Sequence, residues 1–265
     1  MTTAPVVSER WIGTSWKMTK TLAEAGAFVD TLLAAGPPPG GIQPFFLPPL
    51  TALATVREQL GPDSGYLLGA QNADWADEGP RTGEVSMRMV ADAGAHLVEI
   101  GHSERREAFG ETDAIVARKV TAALAAGLRP LVCVGESAEV RRRAEQRDHL
   151  VAQTRAALAG VAPASLPNVL VAYEPIWAIG AAGRPARPDE IADEMAAIRE
   201  VLDAAGDRDH PAPLLYGGSV NRDNAPELLD TPGLDGLFIG RAAWAAADFL
   251  DLISTAHRQV FAQHR

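Results

Sequence analysis

A chain of 265 residues, 47% apolar and 22% charged, can bury a large core and falls in the size range of one α/β barrel. Its net charge of −10 excludes a basic stripe of the kind that neutralises phosphate backbones, so neither nucleic acid nor an anionic membrane is an expected partner. One cysteine, Cys133, permits no internal disulfide, no apolar run reaches the ~18 residues of a membrane span, and the opening MTTAPVVSER lacks a signal-peptide pattern, so the expected location is the cytoplasm.

Strand-like runs begin near Trp11, Ile42, Tyr66, His96, Arg129, Val169, Ala212 and Asp235. Alanine-rich helical stretches lie between them, at Leu22–Leu33, Thr51–Leu60, Asp113–Ala126, Arg141–Leu158 and Asp189–Ala205, with a last one ending near Phe261. Breakers separate them: GPPPGG at 36–41, Gly61-Pro62, Gly127, Pro163 and Gly206. The proline run at 37–39 reads as a rigid connection between helix and strand. An eightfold strand–helix alternation of this length predicts a single (β/α)8 barrel domain over residues 1–265.

Barrels carry their chemistry in the loops after the strands. Taken in order, those positions hold Ser15 and Lys17, then Gln71 and Asn72, then His102, Ser103 and Glu104. Later come Glu174, the turn Gly217-Gly218-Ser219, and Gly240-Arg241. Glu174, in VAYEPIWAIG, is placed to be a base, with Ile176 and Trp177 desolvating it and raising its pKa; the bland alternative is a strand-end Glu paired to an Arg. His102 opens GHSERRE at an expected helix start, where a lowered pKa favours a neutral donor ring over a merely structural one. Lys17 follows Trp16 in an apolar context, so it reads as an anion-stabilising group more than a surface lysine. Since the overall charge repels anions, a phosphate would be held by local donors, and Gly217, Gly218 and Gly240 allow close backbone approach. The remaining histidines, His96, His149, His210, His257 and His264, form no metal-ligand spacing, so neither metal nor cofactor is expected. Arg141, Arg142 and Arg143 read as a solvated helix face balanced by Glu139, Glu145 and Asp148.

Together these residues resemble the triosephosphate isomerase family. The likeness covers almost the whole chain: SWKM at 15–18, AQN at 70–72, TGEVS at 82–86, EIGHSERRE at 99–107, CVGES at 133–137, AYEPIWAIG at 172–180, YGGSV at 216–220 and DGLFIG at 235–240. It implies a TIM-barrel isomerase that works without cofactor on a phosphorylated sugar, moving a proton between adjacent carbons through an enediolate. A Glu base and a neutral His electrophile are that family's known pairing, which here falls on Glu174 and His102. Lys17 would stabilise the enediolate, Glu104 would orient these groups from behind, and Pro175 to about Ala186 would form a closing lid. Gly180, Ser219 and Gly240 would donate to the phosphate. Thr82 would reach from a dimer loop into a partner's site, which implies a homodimer.

Three positions depart from the family pattern. Ser15 stands where the family has a substrate-contacting Asn, Arg241 replaces the second of two glycines, and the lid reads AIGAAGRPA without the usual Thr and Lys. Arg241 adds charge near an anion but removes freedom for close backbone approach. WIGTSWKM and GLFIGRAAW are similar to family members acting on a four-carbon ketose phosphate, the L-erythrulose 1-phosphate isomerases of erythritol breakdown. Triose and tetrulose phosphates both stay open as substrates, with Ser15 and Arg241 leaning toward the tetrulose. Two other readings compete: a catalytically idle barrel used for binding, and a lyase with a Schiff base at Lys17.

Overall fold

In strand β1 (Arg10–Ser15), Trp11 packs among the side chains filling the barrel interior, while Ile12 belongs to the layer between strands and helices. This alternation follows from the pleat, which sends successive side chains to opposite faces. It repeats in β2 (Ile42–Leu47), β4 (Leu97–Ile100), β5 (Arg129–Val134), β6 (Leu170–Tyr173) and β8 (Gly236–Ile239), where Phe45, Leu97, Leu131, Leu170 and Phe238 point inward. With β3 (Leu67–Ala70) and β7 (Leu214–Tyr216), these strands pair in parallel, each with the next, and β8 closes onto β1. The molecule, a computed structural model, describes residues 9–180, 183–206 and 211–262. The result is the (β/α)8 barrel expected from the alternation, and strand starts differ from the sequence reading by at most two residues.

The barrel is a packed core. Trp11, Phe45 and Phe238 fill its base, with the Phe45 and Phe238 rings stacked at 5.8 Å. Gly13 makes room for them, because a Cβ there would sit 1.9 Å from the Phe45 ring. A second, larger apolar layer joins the outward strand residues to the helices, with Trp16, Phe28, Phe46 and Phe249 clustered under the helix Leu22–Ala35. That helix starts on a capping box, Thr21 with Glu24, and ends at Gly36.

Two expectations need correction. The stretch Arg141–Leu158 is two helices, Ala138–Arg142 and Gln146–Ala157. Between them Ala144 takes a left-handed φ of 56°, which α-helical hydrogen bonding cannot continue through. Arg141 is not a solvated residue: it lies 4.7 Å from the Trp177 ring and pairs with Glu194 at 3.1 Å, while Arg142 and Arg143 stay on the exposed face beside Glu139. The 37–39 prolines do form the connection into β2. His210 and His264, and Ala181 and Ala182 of the expected lid, lie outside the described residues. No helix among the described residues is long and apolar enough to cross a membrane.

Candidate active site

Above the aromatic base, at the C-terminal ends of the strands, the barrel opens into a cavity of about 580 Å³. Ser15, Lys17, His102, Glu104, Glu174, Gly180, Ser219, Gly240 and Arg241 all line it, so side chains up to 226 positions apart in sequence meet at one place. Thr82 does not: it is exposed on the loop between β3 and the helix Met87–Asp92.

Each polar group is held by a partner with a physical reason. Glu174 follows the last residue of β6, is 3% exposed, and lies with Oε1 3.6 Å from Nε2 of His102. Burial first, then the neighbouring charge of Glu99, pushes its carboxyl up to about 8. Burial as the leading cause is what the sequence predicts, and Ile176 lines a small space together with Glu174. Trp177 instead turns its indole to Glu136, donating to Oε1 at 2.7 Å, where the Tyr173 hydroxyl also donates at 3.1 Å. Gly217 leaves the space Glu174 occupies, since a Cβ there would come within 2.9 Å of its Cγ.

His102 caps the helix Ser103–Phe109, and its Nδ1 accepts from the backbone N–H of Glu104 at 3.2 Å. That bond leaves the proton of a neutral ring on Nε2, the atom facing Glu174. Burial and the Lys17 charge push the imidazole down to about 4, so it is neutral at physiological pH; the expected helix-terminus effect is not the leading cause. Lys17 sits at φ 52°, an uncommon conformation for a non-glycine residue, and Gln71 braces it by donating to the carbonyls of Lys17 and Leu47 at 3.0 Å each. Its Nζ donates to Glu104 at 2.7 Å. Glu104 thus contacts Lys17 and also forms part of the cavity wall.

The loops are tied together as well. The Ser219 hydroxyl donates to the carbonyl of Ala178 at 2.6 Å, joining the β7 loop to the start of the expected lid. Arg184 stacks over Trp177 at 4.9 Å and pairs with Glu190. The Trp244 indole donates to the Ser15 carbonyl at 2.9 Å, and Lys20 in turn donates to the carbonyl of Trp244 at 2.6 Å.

The site also holds a buried carboxyl that the sequence reading does not single out. Glu99, in β4, is 3% exposed, lines the cavity, and accepts from the Ser15 hydroxyl at 2.9 Å. Burial pushes it up to about 7, against the opposing influence of the Ser15 hydrogen bond and Lys17. Glu99, His102 and Glu174 each bring a donor atom within 4.8 Å of the others. That spacing would admit a cation. A neutral imidazole between two carboxyls that readily take protons is also suited to moving protons.

The chain resembles proteins of known class over nearly all of its length. A family model described as triosephosphate isomerase matches residues 10–256. An L-erythrulose-1-phosphate isomerase of Mycolicibacterium smegmatis is 51% identical over 94% of this chain and 94% of its own. A protein of the same name from Mesorhizobium japonicum is 48% identical over 93% of this chain and 96% of its own. Among solved structures, triosephosphate isomerase from Bartonella henselae superposes with a TM-score of 0.83 at 36% identity, covering 94% of this chain and 99% of that one.

Proposed function

This chain belongs to the triosephosphate isomerase family and is an isomerase, and from that premise we propose that it isomerises a four-carbon ketose phosphate, L-erythrulose 1-phosphate, through an enediolate. The observation carrying the reading is the convergence of Glu174, His102 and Lys17 on one cavity, with Glu174 Oε1 3.6 Å from His102 Nε2. The relatives named for the tetrulose phosphate, and the departures at Ser15 and Arg241, favour four carbons over three.

In L-erythrulose 1-phosphate the carbonyl is at C2 and the neighbouring hydroxyl at C3. Glu174 takes the proton from C3, and the C–H electrons form the C2–C3 double bond while the C2 oxygen becomes anionic. His102, donating from Nε2, and the Lys17 ammonium stabilise that oxygen. After a proton passes between the two oxygens, Glu174 returns its proton to C2 and the carbonyl re-forms at C3. The balance is closed: one hydrogen moves from C3 to C2, and the protein ends as it began. Gly180, Ser219, Gly240 and Arg241 hold the phosphate, and the segment from Pro175 to Ala186 closes over the enediolate, whose exposure to water would allow loss of phosphate. The same reading carries a single-domain cytoplasmic protein and a homodimer in which Thr82 meets the partner's site.

Side-by-side kinetics on L-erythrulose 1-phosphate and dihydroxyacetone phosphate test this. We expect turnover of the tetrulose phosphate, and a loss of about a hundredfold or more in Glu174→Asp, because retracting the carboxylate by one methylene breaks its reach to carbon. A hundredfold preference for the triose overturns the substrate assignment. Full activity of Glu174→Ala overturns the base.

A further inference from the structure

We propose that Ser15 and Glu99 form the subsite for the terminal hydroxymethyl group of the four-carbon substrate, with the Glu99 carboxyl bonding its hydroxyl. This rests on the tetrulose phosphate reading and adds to it the residues that select chain length.

The argument starts from direction. Trp11 and Leu97 point into the barrel interior, and the pleat sends Ser15, four residues after Trp11, and Glu99, two residues after Leu97, to the same side at the cavity level. Leu97 packs below Glu99, so the carboxyl stands on an apolar layer and faces the cavity. Burying a carboxyl in this way disfavours its charged form, and among the described residues no cation bonds it directly; its hydrogen bond there is from the Ser15 hydroxyl at 2.9 Å. Ser15 is itself pinned, its carbonyl by Trp244 and its hydroxyl by Glu99. A buried, costly and positioned pair of this kind has unused capacity to bond one more polar group, since a carboxyl offers several lone pairs.

The substrate supplies that group at the right place. The carbon that loses its proton must lie against Glu174, and its neighbouring oxygen against His102. Glu99 has a donor atom within 4.8 Å of one in each of those residues. In a triose phosphate this carbon carries only hydrogen beyond its hydroxyl. In a tetrulose phosphate it carries a hydroxymethyl group, whose oxygen extends roughly 2.5 Å further, about two bond lengths in projection. The phosphate donors Gly180, Ser219 and Gly240 follow β6, β7 and β8, while Glu99 stands on β4, across the closed barrel from β8, so the extra carbon is directed toward Glu99. The short Ser15 side chain leaves the volume, and Glu99 supplies the acceptor. A site built to bond a hydroxyl discriminates strongly against a substrate without one, because its own buried group is then left unpaired.

The test uses the full chain and compares wild type with Glu99→Leu, Glu99→Gln and Ser15→Ala. Two quantities are measured: kcat/KM for L-erythrulose 1-phosphate, and the inhibition constant of phosphoglycolate, which has no fourth carbon. In Glu99→Leu we expect kcat/KM to fall thirtyfold or more while phosphoglycolate binding weakens less than threefold. Glu99→Gln, which keeps shape and an acceptor oxygen, should recover at least a third of that loss on a logarithmic scale, and it reports on the subsite should Glu99→Leu fail to fold. Loss of kcat/KM and of phosphoglycolate affinity in parallel, or a kcat/KM within threefold of wild type in Glu99→Leu, overturns the subsite while leaving the substrate assignment standing. Absence of tetrulose phosphate turnover in the wild type overturns both.

Discussion

Replacing Glu99 by Gln should change how stability depends on pH, in a direction the structure dictates. The carboxyl is pushed from an ordinary 4.5 up to about 7, chiefly by burial. A carboxyl raised in the folded state binds protons more tightly there than in the unfolded chain. Its contribution is therefore fully present below about pH 4.5 and is lost as pH rises through about 7. The interval from 4.5 to 7 corresponds to about 3 kcal/mol, of which about 2 falls above pH 5.5. Gln has the same shape, still bonds Ser15, and does not titrate. Between pH 5.5 and pH 8.5 the thermal midpoint of the variant should fall less than that of wild type, by roughly 4–8 °C for a chain of this size. Glu174 titrates in both proteins, and because Glu99 is the second cause of its raised value, the variant loses part of that penalty too. Midpoints measured across this range by calorimetry or fluorescence give the comparison, and the absolute offset between the proteins does not enter. Parallel curves would refute the reasoning, since they would mean that Glu99 is charged in the fold at no cost.

Because Glu174 is held at about 8, kcat/KM should decline with falling pH below that point, approaching tenfold per pH unit, as the base becomes protonated. In Glu99→Gln this acid limb should move to lower pH, and a limb that does not move would show that the two carboxyls do not interact. Gly217→Ala places a methyl 2.9 Å from Cγ of Glu174 and should displace the base, with kcat lowered about ten- to a hundredfold. The thermal midpoint should stay near wild type; unchanged kcat would mean that Glu174 has room to move.

Lys17, His102 and Glu174 were legible in the sequence because each stands just beyond an apolar run, where a barrel puts its loops, and the glycine turns follow the same rule. Glu99 lies within a strand and not beyond one, so that rule does not point to it, although the sequence carries another signal. LVEI is a strand inside a barrel covered by helices, so both of its faces are buried and a Glu there lacks solvent whichever way it points. Its link to Ser15 joins residues 84 positions apart and had no local trace. Arg141 misled for the related reason that Glu139 and Glu145 balance its charge within a few residues, while Trp177 and Glu194 draw it inward.

By itself the sequence determined the alternation of strands and helices, and with it the barrel and the end that carries the chemistry, since periodicity, caps and breakers act over a few residues. Only the closed barrel decided which side chains share the cavity and at what charge. Strand parity sets which residues face inward, closure sets which of them meet, and burial among those neighbours holds His102 neutral and raises Glu99 and Glu174.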